Sequence, residues 1–182
     1  MTRALLLCLC AIGAAAVVAG CGDDGDGSSS GRQQQPALLR VTSAAFINRT
    51  RLPKQYTCDG EGDEPPVQAG ASPIGTSELV LVMSDLDAPG GTFVHVTRYD
   101  LSPSGKAVVS EGGREGRNSK GTIGWTPPCP PEGDGQHRYV WTVYAVKDPT
   151  DLPAGAKPDA VLGAVNSDNV LAKGTIEALY SR

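Results

Sequence analysis

Histidine, tryptophan, phenylalanine and methionine are scarce in this chain, with two of each among 182 residues, and aromatics make up only 5%. So few flat rings offer little on which bases could stack. With 16 Lys and Arg against 20 Asp and Glu, the net charge is −4 and no basic stripe exists. Nucleic acid is excluded as a partner on both counts. His95 and His137 lie far apart in sequence, and neither HxxxH nor HxH spacing occurs, so nothing frames a metal site. A GxSxG elbow is missing too, which weakens acyl transfer. No cofactor is expected.

What the chain has in quantity is punctuation. Its 23 glycines and 14 prolines point to many turns and few long helices, while 40% hydrophobic residues suffice to close a core. The start has a different character. Arg3 precedes an uncharged apolar run over residues 4–20. That run is marginal for a spanning helix, which needs about 20 residues. It ends in Val18-Ala19-Gly20-Cys21, the pattern of a lipobox, whose Cys thiol is the group that would be acylated. An uncleaved anchor, or ordinary cleavage nearby, is the alternative. Residues 22–36 are Gly, Ser, Asp and Gln with almost nothing apolar, so they cannot offset the entropy of ordering. Such a tether lets a domain range roughly 20 Å from its attachment. The expected organisation is a signal peptide over residues 1–20, lipidated Cys21 and a tether over 21–37, and a folded domain over 38–182. The protein would then be exported and held by lipid at the outer face of the cell membrane or in the cell envelope.

Cys8 and Cys10 leave with the signal, so an exported domain keeps Cys58 and Cys129. Two thiols in an oxidising compartment usually pair, although two buried thiols that never meet fit the same count.

In the domain, residues 79–83 (LVLVM) form a continuous apolar run, as in a strand covered on both faces. Over residues 92–101 the pattern alternates. Phe93, His95, Thr97 and Tyr99 fall on one face, and Val94, Val96 and Arg98 on the other. Residues 138–147 (RYVWTVYAVK) read as another long strand, with weaker strands at 41–46 and 175–180. A helix is predicted from Pro158 to about Ala172, with Gly174 as its stop. Long irregular stretches at 57–74 and 102–120 are of the kind that often carries function. Strands separated by turns, with few helices, suggest a β-sandwich.

Both histidines sit at strand-associated positions. Ser84-Asp85-Leu86-Asp87-Ala88-Pro89 ends the apolar strand, and a proline- and glycine-rich stretch leads into His137. A pocket where Asp85, His95 and His137 meet could hold an anion, perform general acid–base chemistry or, less readily, bind a metal. Ser84 or Ser119 would be the nucleophile of a hydrolase. Equally, each histidine could simply hydrogen-bond within the sheet.

Four motifs in order narrow these options. Tyr56-Thr57-Cys58-Asp59-Gly60-Glu61, Asp85-Leu86-Asp87-Ala88-Pro89 followed by His95, Cys129-Pro130-Pro131, and His137-Arg138-Tyr139 resemble the YTCDGE, DPDAP and CPP…HRY segments of one family. This is the YbhB/YbcL branch of the phosphatidylethanolamine-binding (Raf kinase inhibitor-like) family, and the resemblance spans residues 41–182. It implies a mainly β fold, a two-sheet antiparallel Greek-key β-sandwich with peripheral short helices and a C-terminal helix. It also implies an anion-accepting pocket at one end, lined by Asp85, His95, Pro130, His137 and Tyr139. Asp85 would orient a histidine, His95 and His137 would offer donors to phosphate or carboxylate, and Tyr139 would add its hydroxyl. Pro130 and Pro131 would stiffen the rim. Asp87 would hold the loop through backbone amides, with Arg138 facing away toward a structural ion pair. A Cys58–Cys129 bridge would pin two rim loops together.

The departures bear on the ligand. Leu86 replaces a proline, Val96 a tryptophan and Asp100 an asparagine, while Gly124-Trp125-Thr126-Pro127-Pro128 differs from GYGGP. After Pro65-Pro66 the usual tryptophan is missing. The expected role is a non-enzymatic binding module for a small anion or phospholipid headgroup, attached to the membrane through lipidated Cys21. A serine protease inhibitor with a protease as its protein target is the alternative, and a weak histidine-dependent hydrolase comes third. Kinase control does not suit a domain outside the cytoplasm.

Overall fold

The computed structural model describes residues 35–182 apart from Lys106. The signal peptide, Cys21 and most of the tether lie outside the described residues. Among those described, no helix is long and apolar enough to cross a membrane.

In chain order the elements are β1 (Ala37–Leu38), β2 (Val41–Ser43), β3 (Thr50–Arg51), a 3-10 turn (Lys54–Tyr56), β4 (Val67–Ala69) and β5 (Glu78–Asp85). They continue with β6 (Phe93–Leu101), β7 (Ala107–Val108), β8 (Arg114–Glu115), β9 (His137–Val146), α1 (Pro158–Ala164) and β10 (Val170–Tyr180). The large sheet runs β1-β10-β9-β5-β6-β8, with β3 also on β10, and a small sheet runs β2-β4-β7. The protein is therefore mainly β, with two sheets and one α-helix among the described residues.

The apolar run in β5 explains the layering. Leu79, Leu81 and Met83 pack in a core that takes Trp141 and Val143 from β9 and Val67 and Ala69 from the small sheet. Val80 and Val82, pointing the other way, share a second core with Tyr99, Val146 and Val161 of α1. Burying each such side chain stabilises the fold by about 1.5–3 kcal/mol. β5 can read as continuously apolar because both of its faces are covered.

Two expectations need correction. The large sheet is mixed rather than purely antiparallel, because β1 and β3 both pair in parallel along β10. The helix is shorter than predicted and does not close the chain. Asn166 Oδ1 accepts the backbone N–H groups of Asp168 and Asn169 at 3.0 and 3.2 Å, and Asn169 Nδ2 donates to the carbonyl of Ala164 at 3.1 Å. These local bonds compete with helix continuation, so Val170 and Ala172 pair with β9 instead. Gly174 is a mid-strand residue, not a stop. A Cβ there would collide with the carbonyl of Leu39, where the chain leaves β1 for the small sheet.

Cys58 and Cys129 are disulfide-bonded, with Cα atoms 5.3 Å apart and a sequence separation of 71. On the loop-entropy account such a bridge contributes about 4 kcal/mol. The same loops are tied again at the chain's end. Tyr180 Oη donates to Asp59 Oδ2 at 2.6 Å, Arg182 Nε donates to Asp59 Oδ1 at 3.0 Å, and Arg182 Nη2 lies 3.5 Å from Glu132.

Candidate functional site

The site sits where β5 ends, β6 begins and β9 begins. Strict alternation along β6 would turn His95 to the face of Thr97 and Tyr99. The observed register differs, because Met83 pairs with Val96 while the next residue, Ser84, pairs with Val94. One extra residue on β6 makes a bulge at Val94-His95. Bulges commonly re-aim side chains in this way. Val94 therefore joins Val80 and Tyr99 in one core while Val96 packs in the other, so the two do not share a face as alternation predicts. His95 is turned toward Tyr139, with ring centroids 5.5 Å apart.

A cavity of about 230 Å³ opens here, lined by Asp85, His95, His137, Pro130, Phe93 and Lys120, with Pro89, Pro127 and Pro131 at its apolar margin. Antiparallel pairing of β5 with β9 sets Asp85 opposite Tyr139, two residues from His137. His137 Nδ1 lies 2.8 Å from Asp85 Oδ2. The other Asp85 oxygen accepts the backbone N–H of Asp87 at 2.9 Å, so the carboxylate cannot swing away. His137 Nε2 lies 3.2 Å from Asp134 Oδ2. A ring flanked on both nitrogens by carboxylates is a double donor, an imidazolium. Burial opposes that charge, but Asp85 and Asp134 outweigh it and hold the His137 pKa above its ordinary value.

His95 is the opposite case. Its Nδ1 lies 2.8 Å from the carbonyl of Thr126, which only accepts, so Nδ1 carries the hydrogen. The Thr126 backbone N–H returns a bond to the His95 carbonyl at 3.1 Å. Burial pulls the His95 pKa down to about 4, against the Thr126 carbonyl and the Asp85 charge. The ring is neutral at neutral pH, and its Nε2 has no hydrogen-bond partner among the described residues.

Asp85, His95, His137 and Pro130 thus meet at one cavity. Tyr139 is fully buried and lies behind the cavity rather than on its wall, and its hydroxyl has no partner among the described residues. Burial, then the negative charge of Asp85, pushes its pKa up. Asp87 accepts the backbone N–H of Arg138 at 2.8 Å and both arms of its guanidinium at 2.8 and 2.7 Å. Arg138 is the structural partner the strand alternation implies. Ser119 Oγ is occupied by the N–H of Val94 at 2.8 Å. Among the described residues neither it nor Ser84 bonds a histidine, and no group of three or more His, Cys, Asp and Glu is placed to hold a metal.

Sequence reasoning did not single out Lys120, Phe93, Thr126 or Asp134. Asp134 was open to discovery, since a carboxylate three residues before a histidine across a glycine turn is a local pair. Lys120 and Thr126 belong to long-range contacts that only the fold creates.

Comparison with known proteins agrees with this architecture. Residues 42–181 match the family model described as Phosphatidylethanolamine-binding protein. A UPF0098 protein of Aquifex aeolicus is 37% identical over 155 residues, covering 80% of this chain and 90% of the relative. A Mycobacterium tuberculosis protein with a lipoprotein name, LppC, is 38% identical over 122 residues, covering 65% of this chain and 60% of its own length. Among solved structures, Escherichia coli YbcL superposes with a TM-score of 0.71 at 25% identity, covering 80% of this chain and 99% of YbcL. A carboxypeptidase Y inhibitor, solved with its cognate proteinase, superposes at 0.52 with 20% identity over 82% of this chain and 85% of that one, a likeness of fold alone.

Proposed function

The chain belongs to the phosphatidylethanolamine-binding protein family, and from that premise we propose that it is an exported, lipid-anchored protein whose cavity binds a small phosphate-bearing anion, free or as a phospholipid headgroup. The observation that carries this reading is the buried His137–Asp85 pair at 2.8 Å on the cavity wall. It keeps a cationic ring on the wall of a space with apolar proline margins. Lys120 adds a second positive charge there. Asp134, whose side chain is 41% exposed, occupies the Nε2 donor of His137 and is the group an incoming anion would replace.

The role is binding rather than turnover. General base catalysis needs a nucleophile within reach of an imidazole, and among the described residues neither candidate serine bonds a histidine, Ser119 holding the Val94 N–H instead. Anchoring rests on the lipobox at Cys21, and the lipoprotein name of the Mycobacterium tuberculosis relative is in keeping with it. The domain begins within a few residues of the tether, so the cavity would work near the membrane. The likeness to the carboxypeptidase Y inhibitor is one of fold and gives protease inhibition no support from the site.

Thermal unfolding with added phosphate or phosphorylethanolamine tests the binding. A ligand at one hundred times its Kd stabilises by about 2.7 kcal/mol. Wild type should gain stability and His137→Ala should not; an equal gain in both would remove the proposal. Anchoring predicts that Cys21→Ser releases the protein from membranes, and release of neither form would refute it.

A further inference from the structure

We propose that the cavity selects an oxyacid monoanion that still carries a proton, a phosphate monoester in its hydrogen form, over anions that have no hydrogen to donate. The inference rests on the anion-binding reading above and names the ligand class for that site.

The two histidines make opposite demands on whatever lies between them. His137 has Nδ1 committed to Asp85 at 2.8 Å, and its Nε2–H needs an acceptor. His95 has Nδ1–H committed to the Thr126 carbonyl at 2.8 Å. Its remaining ring nitrogen offers a lone pair and needs a donor. Both rings line the same cavity. One ligand oxygen must therefore be negative and bare, while another must be a hydroxyl. Dihydrogen phosphate and R–O–PO3H⁻ satisfy both rings at once. A fully deprotonated oxyanion, or a diester, would set lone pair against lone pair at His95.

Charge points the same way. The cavity wall carries Asp85, His137 and Lys120, which leaves one positive charge to balance once Asp134 has moved aside. The other ionisable groups around the rings do not supply a second. Tyr139 lies behind them, buried and un-ionised. Arg182 is taken by Asp59 and Glu132, and Arg138 by Asp87. Asp134 shows that the His137 Nε2–H can donate to a carboxylate oxygen. The aspartate sits between Gly133 and Gly135, both at left-handed φ (77° and 90°), where an added Cβ would meet nothing. That turn has room to release the carboxylate to solvent.

Methyl phosphate and dimethyl phosphate carry the same single charge at about pH 5.5, below the second ionisation of a phosphomonoester near 6. They differ in the hydroxyl. Calorimetric titration of the whole chain should show methyl phosphate binding at least about tenfold more tightly, since a buried acceptor left facing an acceptor is costly. His95→Gln, whose amide can rotate to present a donor, should narrow that ratio. Equal affinity of wild type for the two esters overturns the inference and leaves the anion site standing. Failure of both to bind overturns the anion site itself.

A vesicle arm separates the sources of the monoester. Phosphatidic acid in phosphatidylcholine vesicles displaces methyl phosphate if the ligand is a lipid headgroup, and leaves it bound if the ligand is a free solute. Either result supports the proposal. Displacement by phosphatidylglycerol, a diester, equal to that by phosphatidic acid overturns it.

Discussion

Two clusters in this molecule, each a cation lying between two carboxylates, do different work. On β9, His137 lies between Asp85 and Asp134 at 2.8 and 3.2 Å. On β6, Arg98 lies between Glu64 and Glu115 at 2.6 and 2.8 Å. Arg98 and Glu64 are largely sealed, with side chains 11% and 13% exposed, while Glu115 at the edge is 38% exposed. The cluster ties the 57–74 loop and β8 to the main sheet. Arg98 Nε and Glu64 Oε1 are buried there without partners, so the cluster is held by position more than by full satisfaction. The histidine cluster opens on a cavity, and one of its carboxylates is exposed enough to leave. A permanent charge in a closed site fastens loops; a titratable charge at an opening is available to a ligand.

The largest test of this contrast is Arg98→Met, which leaves two carboxylates facing each other without a cation. Denaturant unfolding should show a loss of about 3–5 kcal/mol. A loss below about 1 kcal/mol would mean that the cluster is not structural. His137→Gln should cost less, about 1–2 kcal/mol, because Asp85 keeps its bond from the Asp87 N–H and an amide can replace the ring N–H. It should also abolish stabilisation by phosphate. If the histidine variant loses more stability than the arginine variant, the division of labour is wrong.

The two clusters should also separate by pH. Burial raises the Glu64 pKa from its ordinary 4.5 in spite of Arg98, and the flanking carboxylates raise that of His137 from 6.5 against burial. In each case the folded state holds its proton more tightly than the unfolded one. Each contribution is complete below the unfolded pKa and is lost as pH rises through the folded pKa. For Glu64 that loss begins as pH rises past its ordinary 4.5, and for His137 as it rises past 6.5. Stability measured across pH should lose its acid segment in Glu64→Gln and its neutral-to-alkaline segment in His137→Gln. Asp87, lowered by its bonds to Arg138, has the reverse sign, with stability present above its unfolded pKa and lost toward acid. The smallest effect belongs to Asp134→Asn. Stability should change by under about 0.5 kcal/mol, while methyl phosphate affinity rises, because the built-in competitor for His137 loses its charge. An unchanged or reduced affinity would show that Asp134 does not occupy the ligand's place.

Much of the frame was legible in the residues. The apolar run at 79–83 read as a strand buried on both faces and the β-branched stretch at 138–147 as another long strand, and both are strands. Cys58 and Cys129 were the one pair left for a bridge once the cysteines of the expected signal and lipidation site were set aside. The helix was misjudged beyond Ala164 because Val170, Leu171 and Ala172 fit a helical stripe as well as a strand. The deciding contacts, Asn166 on its own backbone and Leu39 over Gly174, are local turn chemistry and a long-range crossing. At the site, the meeting of Asp85, His95 and His137 was expected, and the roles of the two rings were not. Treating both as donors came with the family resemblance. The bulge at Val94-His95 and the Thr126 carbonyl, which make one ring an acceptor, have no signature in the alternation of β6. Asp100 is a smaller case, where the aspartate in place of asparagine still takes a left-handed backbone at φ 58°, which both residues tolerate.

The most direct test follows the two imidazoles by nitrogen-15 NMR through a pH titration, with and without phosphate. The account predicts that at neutral pH His137 is an imidazolium whose resonances move on phosphate addition. His95 should remain a neutral ring protonated on Nδ1 until the pH falls to about 4. Two rings titrating together near their ordinary value, or a His137 indifferent to phosphate, would contradict it.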